Sequence, residues 1–193
     1  MRITARRSVV ALFATPCLLI STASVASAAA AAPPSHCAVN VAGTSSAATK
    51  CFSTFAASVA YATGGKIHLG NATQSRYVPE SELAGATAAT AASPNTSYVL
   101  SIDYKNGGWS GTTLTFYASG VCGSWTAATI GTMDRALSSL TNYSGCASTL
   151  FPGTSFTGQP VFLTGVGASV DLTGNSFNDK ARSQKWCPSY GCT

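Results

Sequence analysis

The sequence predicts a mainly β protein in which two copies of one strand–hairpin–strand unit pack as Greek keys into a single sandwich. A short helical, disulfide-tied extension precedes them. Three observations lead there. One is an internal repeat, in which Tyr104-x4-Trp109-x-Gly111 returns as Phe151-x4-Phe156-x-Gly158, 47 positions later. Another is the run Val99 to Asp103, which alternates with the period of two expected of a strand. The last is an even set of cysteines once a leader is set aside.

The leader comes first in the chain. Arg2, Arg6 and Arg7 precede the apolar run Val9 to Ile20, and Ala26-Ser27-Ala28 offers small residues for cleavage. This reads as an export signal over residues 1–28, too short to span a bilayer. The whole chain of 193 residues carries a formal charge of +5 and seven cysteines. Without the leader, eight basic side chains face six acidic ones, a charge of +2, and six cysteines remain. So few Lys and Arg exclude a nucleic-acid binder, and no later run is long and apolar enough to anchor the chain in a membrane. The expected product is secreted, extracellular and monomeric.

Six cysteines allow fifteen pairings. Nearest-neighbour pairing is the simplest: Cys37–Cys51, Cys122–Cys146 and Cys187–Cys192. Zinc ligation is disfavoured, because no Cys-x-x-Cys or Cys/His pair is present. Residues 29–95 form the extension. Within it, 53–62 reads as a short helix capped by Ser53, with Phe52, Phe55 and Val59 on one face and Gly64-Gly65 as its stop. Leu83 to Pro94, rich in Ala, Thr and Ser without periodicity, reads as a linker. His36 and His68 stand alone and read as solvated or incidental.

Residues 96–186 hold the repeat, as motifs 97–141 and 147–186, and 187–193 close the chain in a Cys loop. Each aromatic block follows a strand and precedes another, Thr113 to Phe116 in the first copy and Pro160 to Leu163 in the second. The block itself is a hairpin whose two rings close over its own turn, with Gly111 or Gly158 in a conformation a side chain forbids. A second echo, Asp134-Arg-Ala-Leu-Ser138 and Asp179-Lys-Ala-Arg-Ser183, lies at an offset of 45. Neither unit buries its apolar face alone, so the two should pack on each other. The structural residues of the pattern are then Tyr104, Trp109, Gly111, Ser138, Phe151, Phe156, Gly158 and Ser183.

These residues resemble the βγ-crystallin fold, whose motifs carry the aromatic-x4-aromatic-x-Gly block and a later Asn/Asp-Asn/Asp-x-x-Ser/Thr-Ser loop. They also resemble small secreted actinobacterial proteins of the metalloproteinase-inhibitor and killer-toxin-like kind. The resemblance implies two calcium sites at the loops. Calcium takes six to eight oxygen ligands. In the first loop, taken as Met133 to Ser138, Met133 replaces a ligand and Leu137 replaces the hydroxyl. In the second, Asn178 to Ser183, Asn178 and Asp179 fit, but Arg182 stands where the hydroxyl belongs and stays protonated. Both sites read as degraded, with Asp134 and Asp179 accepting backbone N–H bonds instead. No cofactor is therefore expected, and weak calcium binding at Asn178, Asp179 and Asp134 is the alternative.

No enzyme is expected. Neither histidine lies in the repeat, no Gly-x-Ser-x-Gly elbow, His-Glu-x-x-His or phosphate loop is present, and Asp103 and Asp171 fall on expected strands. Binding functions remain. The resemblance implies a peptidase inhibitor, for which the segment Gly120–Thr132 with Trp125, tethered by Cys122, is the candidate loop. A toxin-like or envelope-associated module, with Tyr190, Trp186 and Tyr143 stacking on glycans, and a calcium-stabilised structural protein are the alternatives. The expected partner is an extracellular peptidase or a cell-surface component.

Overall fold

The computed structural model describes residues 35–42, 48–83 and 97–192. The expected signal, Cys17 and most of the linker lie outside them. Among the described residues the main elements are, in order, β1 (His36–Asn40), β2 (Thr49–Phe52), α1 (Phe55–Ala62), β3 (Tyr98–Asn106), β4 (Ser110–Ala118), β5 (Trp125–Ala127), β6 (Ser139–Asn142), β7 (Ala147–Phe151), β8 (Phe162–Leu163), β9 (Ser169–Asp171) and β10 (Ser183–Cys187). They form a six-stranded sheet, ordered β2-β1-β4-β3-β6-β9, and a four-stranded sheet, ordered β5-β10-β7-β8.

The order encodes an exchange. The first repeat supplies β3, β4 and β6 to the larger sheet, but its third strand, β5, pairs with β10 of the second repeat. The second repeat keeps β7, β8 and β10 together and sends its own third strand, β9, to pair with β6 of the first. Each Greek key thus completes the other's sheet, the two-motif βγ-crystallin-like sandwich expected from the repeat. Leu100, Leu114, Phe116, Leu140, Leu150 and Trp186 fill the space between the sheets, with the Phe116 and Trp186 ring centroids 4.7 Å apart.

Successive residues of a strand point to opposite faces, so the larger sheet has a second face to cover. Ala38, Ile102, Tyr104 and Tyr117 lie on that side, buried with Phe55, Val59 and Ala62 of α1 and with Ile67, Leu69 and Val78. The described part of the extension, residues 35–42 and 48–83, is therefore built into the fold. β1 joins the larger sheet parallel to β4, His36 opposite Thr113 through Asn40 opposite Tyr117, and the residues after it roof the sheet. A parallel neighbour with polar residues in its sequence carried no periodicity that announced this. Two tyrosines fasten the roof: the Tyr104 hydroxyl donates to the Arg76 carbonyl at 3.0 Å, and the Tyr143 hydroxyl to the Val78 carbonyl at 2.7 Å.

Local details depart from expectation. The helix is capped by Thr54, whose Oγ1 accepts from the Ala57 N–H at 3.3 Å, not by Ser53. Phe55, Ser58, Val59 and Ala62 form its buried face, while Phe52 belongs to β2. At its end Gly65 N–H reaches back to the Ala60 carbonyl at 2.7 Å. The strict alternation expected for β3 is broken by a bulge between Val99 and Ser101, which sends Leu100 inward while Val99, Ile102 and Tyr104 face the roof. His36 is buried, with Nδ1 3.0 Å from Thr113 Oγ1. The disulfides are Cys37–Cys51, Cys122–Cys146 and Cys187–Cys192. Among the described residues no helix is long and apolar enough to cross a membrane.

Candidate functional site

The hairpins come first, because they hold the loops. In each, the aromatic after the turn has a positive φ, 56° at Trp109 and 64° at Phe156, and the glycine two residues on has φ 84° at Gly111 and 87° at Gly158. A Cβ at Gly158 would lie 3.0 Å from Pro152, and one at Gly111 would meet the Asn106 amide. A serine pins each hairpin. Ser183 Oγ donates to the Gly153 carbonyl at 2.6 Å and accepts from the Phe156 N–H at 3.0 Å. The counterpart in the first copy is Ser139, donating to the Asn106 carbonyl at 2.7 Å and accepting from the Trp109 N–H at 3.2 Å.

That pairing shifts the repeat. Ser139 and Ser183 are 44 positions apart, not the 45 read from Ser138. Arg135 and Asp179, also 44 apart, are the positive-φ residues of their loops, both at 56°. Their backbone bonds are related in the same way: Arg135 N–H to the Ala181 carbonyl at 2.9 Å, and Asp179 N–H to the Leu137 carbonyl at 3.1 Å. The first loop is therefore Asp134 to Ser139, and Ser138 occupies the hydroxyl position assigned to Leu137. Met133 lies outside it, in the core. Similar residues on either side, Asp134-Arg against Asn178-Asp and a Ser138-Ser139 doublet, made the slip by one invisible in sequence.

In the corrected register the loops face each other crosswise. Arg182 donates through Nε to Asp134 Oδ1 at 2.8 Å and through Nη2 to Oδ2 at 3.1 Å. This bond and the guanidinium charge hold the Asp134 carboxyl below its ordinary range, with Arg135 adding to the effect. On the other side Ser138 Oγ donates to Asp179 Oδ1 at 3.0 Å, and Asn178 Nδ2 to Asp179 Oδ2 at 2.9 Å. Both carboxylates thus accept from side chains, not from the backbone N–H groups expected. The carboxylate that does accept backbone bonds is Asp171, from Gly108 N–H at 2.7 Å and Thr173 N–H at 2.8 Å; the Thr173 hydroxyl first, and then these bonds, lower its pKa.

The residues present do not fit calcium. At the first position the guanidinium occupies both Asp134 oxygens. At the second, Asn178 Oδ1 is buried without a partner, but the side chains around it add only one carboxylate, itself taken by Ser138 and Asn178, and one hydroxyl, so most of the six to eight oxygens calcium takes would have to be backbone carbonyls and water. Arg135, Lys180 and Arg182 outnumber Asp134 and Asp179 in the two loops.

Trp125 sits in β5, half-buried against the inter-sheet core. Its Nε1 donates to the Val121 carbonyl at 3.1 Å, and Gly120 and Gly123 lie against its ring, where an added Cβ would come within 3.6 Å and 3.5 Å. Cys122 ties the same loop to the fully buried Cys146. Val121 is thereby held outward, 62% exposed. The sequence pointed to the segment but to its tryptophan; the exposed group is the valine three residues after Ala118. Tyr143 and Trp186 are buried and offer no stacking surface, whereas Tyr190 is exposed.

No protein-family model matches the chain, and no curated protein matches it. Among solved structures it is similar to a variant of a βγ-crystallin domain from Clostridium beijerinckii, 20% identical with a TM-score of 0.37 over 47% of this chain and 99% of that one. A βγ-crystallin domain from Flavobacterium johnsoniae is 17% identical, with a TM-score of 0.36 over 49% and 99%. The fold assignment rests on this chain's own strand exchange and pinned hairpins.

Proposed function

We propose that the chain is an exported, disulfide-stabilised binding protein without an enzymatic centre, and that it inhibits an extracellular peptidase, in the first place a metallopeptidase, through the 119–124 loop. The observation that carries this reading is Val121. An aliphatic side chain stands out of a loop held at three points, by the Cys122–Cys146 disulfide, by the Trp125 Nε1 bond to its carbonyl and by glycines seated on the indole. A loop already fixed in one shape loses little entropy on docking, and one well-placed anchor can dominate an interface. Three disulfides suit an oxidising exterior. In the same reading the paired loops at Asp134 and Arg182 are closed by their own ion pair, and calcium is no cofactor.

The test is inhibition of a panel containing a zinc metallopeptidase, a subtilisin-type and a trypsin-type enzyme. Inhibition of at least one, weakened roughly hundredfold by Val121→Asp with an unchanged far-ultraviolet spectrum, is the expected result. No inhibition at micromolar protein overturns the reading. A second reading, a module held at a cell envelope, draws on another face of the molecule, the cleft beside His36.

A further inference from the structure

We propose that the cleft between β1, residues 73–75 and the first hairpin binds an uncharged saccharide. It has a volume of about 450 Å³, and its walls include His36, Gln74, Ser75, Asn106, Ser110 and Thr112. That volume lies within the ~300–1,000 Å³ of ordinary small-ligand sites. The described lining residues include no Lys, Arg, Asp or Glu. Burial lowers the His36 pKa, against a smaller opposing effect of the Thr73 backbone, so the imidazole is neutral as well. Of the charges next to the lining segments, Arg76 is held by Glu82 through two hydrogen bonds, and Lys105, which precedes Asn106, is exposed and is not part of the wall. A wall of hydroxyls, amides and one neutral imidazole supplies donors and acceptors without a field that selects an ion. That chemistry matches a polyhydroxylated neutral ligand and mismatches a phosphate, an acidic sugar or a cation.

Two further features favour a saccharide. The walls are fixed to one another: Ser75 Oγ donates to the Gly111 carbonyl at 2.7 Å, and His36 is bonded to Thr113 of β4. A preformed site costs little to order on binding. Outside the lining itself but on the same two chain segments, Tyr77 and Trp109 form a ring pair with centroids 5.3 Å apart. Tyr77 follows Ser75 by two residues and is 43% exposed, and Trp109 precedes Ser110. An exposed aromatic face next to neutral hydrogen-bonding groups offers the apolar C–H face of a sugar a surface to cover.

The proposal is independent of the 119–124 loop, and its experiment separates the two. The leaderless full chain, isotope-labelled, is titrated with neutral hexasaccharides of β-1,4-glucose, β-1,3-glucose and β-1,4-N-acetylglucosamine. An oligogalacturonate and a blocked tetrapeptide serve as comparators. The expected result is a dissociation constant below about 10 mM for a neutral sugar, with amide shifts centred on Gln74, Ser110 and Thr112. Gln74→Ala, at an exposed position and with an unchanged melting temperature, and Tyr77→Ala, with an unchanged far-ultraviolet spectrum, should each weaken binding roughly fivefold or more. Val121→Asp should leave it intact. The proposal is overturned if no neutral sugar shifts these amides, if the anionic sugar or the peptide binds more tightly, or if both cleft variants bind like the parent chain.

Discussion

The two hairpins share a backbone and differ in company. In the second, Phe151 and Phe156 turn to each other, ring centroids 5.7 Å apart at 71°, and Lys185 lies over both rings. In the first, each ring takes a partner from the roof: Tyr104 packs near Phe55, at 6.3 Å, and Trp109 against Tyr77. The second hairpin closes over itself, as the repeat predicts. The first has been opened to receive a layer of chain, and the cleft lies where that layer meets it. A repeated motif fixes backbone geometry, while its side chains are free to face inward or recruit a neighbour.

The largest break in this comparison is removal of the roof. A chain beginning at Thr96 exposes Ile102, Tyr104 and Tyr117 together and strips β4 of β1. It should show no cooperative melting transition and should bind a hydrophobic dye. A sharp transition would mean that the second face needs no cover.

A smaller effect sits in the core. Asp103 of the first repeat corresponds, 47 positions on, to Leu150 of the second. Burial raises the Asp103 carboxyl to about 7, against the hydrogen bond from Ser101 and the nearby Gln184 amide, which pull it down. The folded pKa thus lies above the unfolded one. Its stabilising contribution is complete below the ordinary value of 3.8 and fades as pH rises towards about 7. Asp103→Asn should gain roughly 1–3 kcal/mol over the parent at pH 8 and little at pH 4, read by denaturant unfolding. His36 works in the opposite sense: its lowered pKa removes stability as pH falls below its ordinary 6.5. The difference between parent and variant isolates the carboxyl.

The register is tested next. Ser139→Ala and Ser183→Ala should each cost about 1–2 kcal/mol, since each strands a hairpin N–H and carbonyl. Ser138→Ala, which loses only a bond to the exposed Asp179, should cost about half as much. Equal losses at Ser138 and Ser139 would contradict an offset of 44. The smallest effect is expected at the loops. Calcium should leave the parent's melting temperature unchanged, whereas Arg182→Ser, which frees Asp134 and restores a hydroxyl, should make it rise on adding calcium. A rise in the parent would show that Asn178 and Asp179 suffice.

The features that arise from near-neighbour chemistry were legible in sequence. The pinned hairpins follow from aromatic and glycine spacing, the helix from Phe55 and Val59, and the disulfides from adjacency along the chain. What escaped was set by distant partners. Nothing around His36 or Val39 names β4 as their neighbour, and the burial of Tyr143 and Trp186 depends on which sheet face each meets. The loop register was lost because Ser138 and Ser139 are the same residue type. Arg182 was read as a charge that repels an ion, and its role as partner to Asp134 required the two loops to be seen face to face.

The parallel pairing of β1 with β4 also bears on the order of events during synthesis. His36 and Thr113 are separated by 77 residues, so the strand made first finds its inner neighbour only after β3 and β4, the first half of the first repeat, have been made. Until then it can pair only with β2, a contact that the Cys37–Cys51 link, 14 residues apart, can secure early. Distant contacts of this kind slow folding, and a chain crossing a membrane as a thread would keep its β4 edge vacant until the end. A β1–β2 ribbon already crosslinked would then bring a single two-stranded unit to that edge.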